Sequence, residues 1–551
     1  MRSMGGAERK ALGAYYTPRA IATWLGSQLV AAAGNVDHVL TALDPASGDG
    51  ELLEAVKCAA RPGSVRMLAV DVDGGALQDA RQRLGADATV LKGDGLTLPL
   101  ADLYGFKPDV VIANPPWGAS LPRTATAYRE AGFTLARGQF DSYDLFVEAA
   151  VRAVAPGGVI GLVLPDSLLL PEHEATRRLL LAETQLLRLV RLGEGIFDGV
   201  FRGTLLLVAR RAEAGSDTRV LCARLHFDRR DELIRGTLSL DDALEFHEVS
   251  QSRFAANPHA EFDLDVRADE VPFFQMSRRS GFAWDDLVVW GRGVEIGKDG
   301  RVCRCPECGI SRALPRVGPY VCEVCGRELG PGSVEAIIRP LSSSAGSADW
   351  TAVVVGSDVE RYRVKASREI RLAVRGIRYK DDIVLRQRKL LVRKTGVGIQ
   401  AAIDESGAQT IQAVFHFIPS SSAPKSIIDY LLGVLNSRPM QAFHLRQSGD
   451  HEWRSHPYVT PRVLRALPIP HVDEGRDTRA IANRIAKLAV DMSRRPTEAL
   501  DLQLDAAVLE LYGLGAAGSD WSRQVLSGAQ QLRAIAQLAV GGRLPLPADA
   551  A

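Results

Sequence analysis

A turn with the composition of an amine-binding site follows the apolar run that ends at Ala113; it consists of Asn114, Pro115, Pro116 and Trp117. An exocyclic amine conjugated with an aromatic ring is a poor nucleophile, so a site that alkylates it must draw the nitrogen lone pair out of conjugation. The side-chain oxygen of Asn114 and the carbonyl of Pro115 can each accept one N–H, Trp117 can stack on the ring, and the prolines make the turn rigid. The competing interpretation is a proline turn beside a core tryptophan. The position of the turn at a strand end favours methyl transfer to a planar amino group.

A glycine-rich turn at residues 44–50 lies upstream, between an apolar run and a predicted helix. Its glycines let a ligand meet bare backbone, although many doubly wound proteins use such turns for nucleotides. About 20 residues later Asp71 can bind a ribose diol, and Asp94 can accept a hydrogen bond from an adenine amino group. No phosphate-binding lysine follows the turn and Asp49 would repel a pyrophosphate, so we expect the cofactor to be S-adenosylmethionine. The candidate cofactor-binding residues in these segments are Asp44, Ala46, Gly48, Gly50, Asp71, Asp94 and Asn114.

Five of the seven cysteines fall between Cys303 and Cys325, which is typical of metal binding and not of a disulfide framework. They include two Cys-x-x-Cys pairs separated by 13 residues, and each pair is followed by glycine. This pattern predicts a structural zinc ribbon with four ligands, Cys305, Cys308, Cys322 and Cys325. Cys303 could replace Cys305 as the first ligand. Four buried or reactive thiols are the alternative to a metal site.

A basic segment lies in the second half of the chain, where residues 361–394 hold 13 Lys and Arg against 3 Asp and Glu. A solvated charged face usually mixes both signs, so this excess predicts a surface that binds the phosphates of DNA. The whole chain carries a net charge of only +1, so any such surface must be local. The candidate DNA-binding residues are Arg386, Arg388, Lys389, Arg393 and Lys394.

The elements that must position these residues are predicted from the pattern of apolar residues. At 551 residues and 46% hydrophobic, the chain is too long for one ordinary core. It has no N-terminal signal sequence, and no stretch approaches the roughly 18 apolar residues of a membrane span, so we expect a cytoplasmic protein. Short β-branched runs alternate with helix-period stretches over residues 18–210, which predicts a doubly wound, Rossmann-like α/β fold with a parallel sheet. The predicted strands are 39–43, 65–70, 88–91, 110–113, 159–164, 186–192 and 204–209, with a long helix at about 143–154.

The second half of the chain has a different pattern of apolar residues. Short strands such as 351–355 and 389–393 predict a mixed α/β domain, and helical spacing returns from 476 to 514. The predicted domains are 1–235 for methyl transfer, 236–285 as a connecting segment, 286–470 for target recognition with a zinc ribbon at 301–328, and 471–551 as a C-terminal helical region.

On its Asn-Pro-Pro-Trp turn and cofactor segments, the sequence resembles the adenine-N6 DNA methyltransferases of restriction-modification systems, in the gamma-class motif order. Residues 13–18 are similar to the element that closes over the methionine end of the cofactor in that family, which implies roles for Tyr16, Thr17 and Pro18. Residues 139–146 and 156–158 resemble the segment in which the chain returns to the cofactor. Residues 196–197 and 204–208 resemble the hairpin whose aromatic side chain contacts the flipped adenine, which implies Phe197, with Phe201 as the nearby alternative.

The same resemblance covers the second half, where residues 292–298, 356–362, 390–395, 432–437 and 467–470 are similar to the family's target-recognition domain. It implies methylation of a flipped adenine in double-stranded DNA, and other subunits of a restriction or phage-defence system are candidate partners. Fused relatives place a nuclease ahead of the methyltransferase. Because the cofactor element starts by residue 13, we expect none in this chain.

Two other functions remain open on sequence grounds. The first is a methyltransferase that acts on RNA or on a protein glutamine amide, because an Asn-Pro-Pro-aromatic turn suits any planar amide or amine. The second is a catalytically idle DNA-binding subunit of a defence complex. The basic second half argues against the first, and the presence of every expected catalytic residue argues against the second.

Overall fold

A computed structural model describes residues 17–34, 37–98, 105, 107–119, 121–138, 140–197, 202–226, 229–278, 287–314, 320–329, 331–341, 349–379, 387–396, 398–448, 459–465, 467–472 and 475–530. The chain forms two compact units, Met1–Ala268 and Asp269–Ala551. Among the described helices, none is both long enough and apolar enough to cross a bilayer.

The first unit alternates strands and helices. Its strands are β1 (Leu40–Asp44), β2 (Val65–Asp71), β3 (Ala88–Lys92), β4 (Val110–Ala113), β5 (Val159–Pro165), β6 (Gln185–Gly193), β7 (Thr204–Arg210), β8 (Arg219–Arg224) and β9 (His247–Ser250). Its helices are α1 (Arg19–Ala33), α2 (Glu51–Ala59), α3 (Gly74–Leu84), α4 (Ala125–Glu130), α5 (Ser142–Ala153), α6 (Glu174–Glu183), α7 (Arg230–Ile234), α8 (Leu240–Ala243) and α9 (Gln251–Ala256).

These strands form one sheet in the order β3-β2-β1-β4-β5-β7-β6-β8-β9. The strands from β3 to β5 in that order are parallel, as the sequence predicts. β7 is antiparallel to both β5 and β6, so the sheet is mixed and the expectation of a purely parallel sheet is wrong there. The reason is local: β7 is the next strand in the chain after β6 and pairs with it antiparallel, as the two strands of a hairpin do.

Burial explains why the strands of this unit can be predicted from the sequence. Every residue of β4 and β5 is buried, and alternate residues of a strand face opposite sides, so both faces of the sheet are covered there. Covered strands read as continuous apolar runs. α1 also packs closely on α2 at Gly26, where an added Cβ would lie only 2.7 Å from the backbone of Ala55.

The first unit extends beyond the predicted boundary at residue 235. Within the stretch expected to be a connecting segment, β9 pairs with β8 and belongs to the main sheet. Val249, Phe254 and Leu264 join the core of this unit. The structure therefore places any connection between the units after Ala268.

The second unit is mixed α/β. Its strands are β10 (Val288–Arg292), β11 (Arg301–Arg304), β12 (Ser311–Ala313), β13 (Tyr320–Val321), β14 (Glu328–Leu329), β15 (Val334–Ala336), β16 (Ile338–Pro340), β17 (Trp350–Val354), β18 (Val359–Glu360), β19 (Arg363–Val364), β20 (Arg368–Arg371), β21 (Lys389–Arg393), β22 (Ala401–Asp404), β23 (Gln409–Thr410) and β24 (Val414–Pro419). Its helices are α10 (Val271–Arg278), α11 (Ile427–Asn436), α12 (Arg438–Ser448), α13 (Pro461–Arg465), α14 (Arg476–Arg494), α15 (Glu498–Tyr512) and α16 (Gly515–Gln530).

Two four-stranded sheets, β10-β24-β21-β22 and β16-β20-β17-β23, form the larger part of its β structure.

A largely buried ionic cluster joins the strand region to α15. The Arg361 guanidinium donates to both carboxylate oxygens of Asp501, at 2.8 and 2.5 Å. Arg438 pairs with Asp505 at 2.7 Å and with Asp501 at 3.0 Å. The two helical segments of α14 and α15 occupy the range in which the sequence predicts helical spacing.

Candidate active site and cysteine cluster

The predicted cofactor and catalytic residues meet at one edge of the main sheet. Asp44 ends β1, Asp71 ends β2, and Asn114 directly follows β4. These three strands are parallel neighbours in the order β2-β1-β4, so their carboxyl ends lie at the same edge. Ligands of open α/β sheets bind at this edge.

The glycine-rich turn is held by the end of β2. Gly48 has a φ of 52° and Gly50 a φ of 84°, a left-handed conformation that glycine adopts without strain. The Gly48 amide donates to Asp71 Oδ2 at 2.8 Å, and Asp71 Oδ1 accepts from the Asp73 amide at 2.8 Å. Burial raises the pKa of the Asp71 carboxyl. Asp71 therefore orders the turn itself, a role that the sequence does not reveal.

The loop after β3 lies against the same turn. A Cβ added at Gly95 would lie only 2.0 Å from the carbonyl oxygen of Pro45. This contact brings Asp94 next to the glycine-rich turn, where its carboxylate accepts from the Leu96 amide at 3.0 Å. Ala46 and Asp94 are both half-buried.

Asp44 has the environment of a carboxylate that faces a ligand. It is 1% exposed, and its Oδ1 accepts from the Ala46 amide at 2.9 Å. Its Oδ2 is buried with no hydrogen-bond partner among the described residues. Burial therefore raises the pKa of this carboxyl well above its ordinary value. A buried carboxylate oxygen is stable in ionised form only against a cation or a donor, which a bound ligand can supply.

The catalytic turn contacts the N-terminal element of the described chain. The side-chain nitrogen of Asn114 donates to the Thr17 hydroxyl at 3.1 Å. Thr17 is buried, and Pro18 caps the N-terminus of α1. Because the side-chain nitrogen of Asn114 faces Thr17, its side-chain oxygen faces away from Thr17. Tyr16, the third residue implied for this element, lies outside the described residues.

Two aromatic side chains of the predicted base-binding site touch each other. Trp117 and Phe197 are 7% and 5% exposed, and their ring centroids lie 5.4 Å apart with an interplanar angle of 86°. This edge-to-face contact is a favourable aromatic arrangement. A base that is to lie between the two rings must first separate them. Pro115 is buried and Pro116 half-buried in the same turn, and Phe201 lies outside the described residues.

Three residues outside the predicted set hold this turn in place. The Ser142 hydroxyl donates to the Pro116 carbonyl at 2.5 Å, and the Gly118 amide donates to Asp141 Oδ1 at 2.6 Å. Arg202 pairs with the other oxygen of Asp141 at 3.0 Å. Two sequence signals bear on Asp141: it lies in the segment 139–146, which resembles the family's return to the cofactor, and it precedes by three residues Asp144, whose carboxylate accepts from the Asp141 amide in a helix-capping arrangement.

The predicted DNA-binding surface is corrected by the structure at two positions. Lys389 is 1% exposed and pairs with Asp404 at 2.5 Å. Arg388 donates to both carboxylate oxygens of Asp429, at 2.9 and 2.6 Å, and also pairs with Glu405. Lys389 is therefore not available to a phosphate in this arrangement, and the charge of Arg388 is offset by Asp429 and Glu405 although 37% of its side chain is exposed. Arg393 and Lys394 are half-buried, and Arg386 lies outside the described residues.

Replacing Lys389 with methionine is expected to lower the free energy of unfolding by about 3–5 kcal/mol, because Asp404 is left charged and unpaired in the core. The double variant Lys389→Met, Asp404→Leu should recover most of this loss. Urea denaturation of the three proteins measures both effects. Reduced DNA affinity at unchanged stability would instead return Lys389 to the DNA-binding set.

The four predicted metal ligands converge in the second unit. The sulfur atoms of Cys305, Cys308, Cys322 and Cys325 all lie within 4.8 Å of one another. The amides of Gly309 and Gly326 donate to the carbonyls of Cys305 and Cys322 at 2.9 and 2.7 Å, which closes two similar tight turns. Cys303 is buried beside the group but is not among the four that converge, so the geometry selects Cys305 as the first member.

Comparison with known proteins finds a family match within each half of the chain. Residues 105–197 match the Eco57I restriction-modification methylase family, and residues 351–469 match the TaqI-like C-terminal specificity domain. The type II methyltransferase M.VspI of Vibrio sp. (strain 343) is 26% identical over 306 residues, 53% of this chain and 66% of that protein. The type II methyltransferase M.BanIII of Aneurinibacillus aneurinilyticus is 27% identical over 226 residues, 36% of this chain and 39% of that protein. The matched segments thus span less than two thirds of either relative.

Solved structures share the architecture at low identity. The Type IIL restriction-modification enzyme MmeI, solved in complex with DNA, has a TM-score of 0.58 at 13% identity and covers 96% of this chain and 80% of its own. A DrdV-DNA complex has a TM-score of 0.50 at 12% identity, over 89% of this chain and 58% of its own. The first unit therefore has a methyltransferase-like α/β fold, and the second contains a specificity domain. Residues 105–197 and 351–469 of this chain therefore resemble, respectively, the methylase segment and the specificity domain of restriction-modification methyltransferases.

Proposed function

We propose that this protein transfers a methyl group from S-adenosylmethionine to the exocyclic N6 of adenine in double-stranded DNA, within a restriction-modification or phage-defence system. The observation that carries the proposal is the turn from Asn114 to Trp117, which follows β4 at the sheet edge shared with Asp44 and Asp71. An amide, two prolines and an aromatic ring at that edge form an acceptor site for a planar amino group, beside residues suited to a cofactor.

The residues at the sheet edge fit S-adenosylmethionine. The buried Asp44 Oδ2 suits a cationic ligand, and the positive-φ glycines of the turn leave room for an approach to the backbone. We assign cofactor binding to Thr17, Pro18, Asp44, Ala46, Gly48, Gly50, Asp71 and Asp94, and we place Asn114 at the border between the cofactor and the base, where its main role is towards the base. When bound, S-adenosylmethionine supplies an electrophilic methyl group on its sulfonium sulfur.

The protein's own groups then act by positioning and by hydrogen bonding. The Asn114 side-chain oxygen and the Pro115 carbonyl accept the two N–H groups of the adenine, which localises the nitrogen lone pair for attack. Trp117 and Phe197 offer aromatic surface to the flipped base, which offsets the few kcal/mol that unstacking costs. No side chain is needed as a base, because the amino nitrogen becomes acidic once it is alkylated and its proton leaves to solvent.

We assign target recognition to the second unit, on the evidence of its match to a specificity domain. The named DNA complexes of MmeI and DrdV, which share the fold, support DNA as the substrate class. Of the basic residues predicted for this role, Arg393 and Lys394 remain candidates. We further assign a structural zinc ion to the four cysteines, because four thiolates leave no open coordination position for a substrate or water.

The direct test is methyl transfer to unmethylated phage DNA with S-adenosylmethionine labelled in its methyl group, followed by digestion to nucleosides. We expect the label in N6-methyl-2′-deoxyadenosine and none in N4-methyl-2′-deoxycytidine. RNA and total cell protein serve as parallel acceptors. Label that enters only RNA or a glutamine side chain would refute the proposal in favour of the alternative substrates, and no transfer to any acceptor would favour an idle subunit.

Cofactor affinity is expected to rise with pH through the titration of Asp44. Burial raises the pKa of this carboxyl, so the free protein holds it protonated above the ordinary carboxyl range, and its ionisation costs stability as the pH rises. A cationic ligand favours the ionised form, so binding should release a proton. Calorimetric titration in two buffers of different ionisation enthalpy measures this release. The Asp44→Asn variant should show none, and a wild-type protein that releases no proton on binding would contradict the assignment.

A further inference from the structure

Two elements of the candidate active site meet at a single carboxylate. We propose that Asp141 is a positioning residue, which locks the catalytic turn to the hairpin that carries Phe197 by accepting from the turn and pairing with Arg202. This inference rests on the proposed methyl transfer and adds two residues to the machinery of the same site.

The carboxylate of Asp141 binds one partner next to the turn and one beside the hairpin, and its Oδ1 also lies 3.0 Å from the hydroxyl of the neighbouring Ser142. Its Oδ1 accepts from the Gly118 amide at 2.6 Å, and its Oδ2 pairs with the Arg202 guanidinium at 3.0 Å. The side chain of Asp141 is 15% exposed, against 47% for that of Arg202. Charge-assisted hydrogen bonds of this kind are shorter and stronger than neutral ones. The half-buried carboxylate of Asp141 therefore binds both the end of the catalytic turn and the hairpin.

Asp141 is itself held on a rigid element. It precedes α5, and its amide donates to Asp144 Oδ2 at 2.8 Å. Its neighbour Ser142 donates to the Pro116 carbonyl at 2.5 Å and accepts from the Ala119 amide at 3.2 Å. The start of α5 thus fixes the turn at three successive points. A turn tied in this way cannot shift without disturbing the helix terminus.

Arg202 lies directly on the turn as well as beside the carboxylate. Gly118 has a φ of +66°, and a Cβ added there would lie 3.1 Å from the terminal nitrogen of Arg202. Arg202 precedes β7, and Phe197 follows β6 on the other side of the same hairpin connection. Trp117 touches Phe197 edge to face. The turn and the hairpin therefore contact each other through Trp117 and Phe197 and are also linked through Asp141, which binds Gly118 and Arg202. The link through Asp141 keeps them in register when a base separates the rings.

The effect of this arrangement should appear in the chemical step. Small displacements of groups that position a reactant can lower a rate by about a hundredfold. Among the described residues, the hydrogen bonds of Asp44 and Asp71 involve Ala46, Gly48 and Asp73 and neither Asp141 nor Arg202, so the affinity for S-adenosylmethionine should be preserved. A turnover defect without a binding defect distinguishes positioning from general damage to the fold.

The experiment compares Asp141→Ala, Asp141→Asn and Arg202→Gln in the full chain, with unmethylated phage DNA as acceptor. Asp141→Ala should lower kcat about 10- to 100-fold with KM for S-adenosylmethionine unchanged. Asp141→Asn keeps an acceptor for the Gly118 amide and loses the charge, so it should resemble Arg202→Gln, with a smaller loss. The double variant Asp141→Ala, Arg202→Gln should be no slower than Asp141→Ala alone, because the pair acts as a unit. Arg178→Gln, which breaks the exposed pair with Glu174, is the matched control and should behave as wild type.

Hydrogen–deuterium exchange of the same variants gives a second readout that does not depend on activity. Asp141→Ala should speed exchange in the peptide that contains Gly118 and leave β4 and β5 protected. Unchanged exchange there, additive losses in the double variant, or a parallel loss of cofactor affinity would each overturn the positioning role. A wild-type protein that methylates no DNA would refute the proposed function alone, because the exchange comparison still decides whether Asp141 orders the turn.

Discussion

Replacing Asn114 with alanine is expected to lower the rate of methyl transfer by at least about a hundredfold and to leave S-adenosylmethionine affinity close to that of the wild type. The variant removes one of the two acceptors for the adenine amino group, so the lone pair stays conjugated with the ring. Loss of one preorganised hydrogen-bonding group at a transition state typically costs about 3 kcal/mol. Single-turnover transfer to DNA measures the rate, and calorimetry measures the cofactor affinity.

Thr17 provides the informative companion variant for that experiment. Its hydroxyl accepts from the Asn114 side-chain nitrogen, so Thr17→Val should misorient the amide and cause a smaller loss of rate, while Thr17→Ser should restore it. An Asn114→Ala protein with near-full turnover would remove the amide from the mechanism. Loss of cofactor binding in that protein would mean that Asn114 acts mainly on the cofactor.

The purified protein is expected to contain one zinc ion per chain, and the Cys322→Ser, Cys325→Ser double variant to contain none. Zinc binding supplies about 10–16 kcal/mol of apparent folding free energy in small zinc-finger peptides, so its loss should unfold the segment around the four cysteines. Impaired DNA binding is the expected consequence. S-adenosylmethionine binding should survive, because the candidate cofactor residues belong to the first compact unit and the cysteines to the second.

Cys303 offers a matched control for the metal site. It is buried beside the cluster but does not converge with the four ligands, so Cys303→Ser should retain the full zinc content. Metal analysis under reducing conditions gives the stoichiometry. Absence of zinc from the wild-type protein would refute the site, and loss of cofactor binding on chelation would refute its purely structural role.

The sequence predicted β1 to β7 of the first unit well because the central strands β4 and β5 are covered on both faces. Continuous apolar runs such as theirs are readily recognised as strands, and the seven predicted strands begin and end within about two residues of β1 to β7, whereas β8 and β9 were not predicted. The antiparallel direction of β7 did not follow from that pattern, although the resemblance of residues 196–197 and 204–208 to a hairpin indicated it. Strand direction depends on which neighbour the chain returns to, and the apolar pattern of a buried strand is the same in either direction.

The charged residues show where a prediction from local sequence composition fails. Residues 361–394 have a large basic excess, yet Lys389 pairs with Asp404 and Arg388 with Asp429, which lie outside that segment. A local count of charges cannot include partners that only folding supplies. Asp141 was missed for the same reason, because its partners Gly118 and Arg202 are distant from it in the sequence.

The ionic cluster at α15 limits how the specificity region can be exchanged between relatives. Arg361 and Arg438 lie within the matched specificity segment, 351–469, but their partners Asp501 and Asp505 lie beyond it. A cassette cut at residue 469 would separate these two guanidinium groups from their own carboxylates. Breaking one buried pair costs about 3–5 kcal/mol, a large share of the 5–15 kcal/mol that typically stabilises a domain. A transferable specificity cassette should therefore continue through Tyr512, where α15 ends.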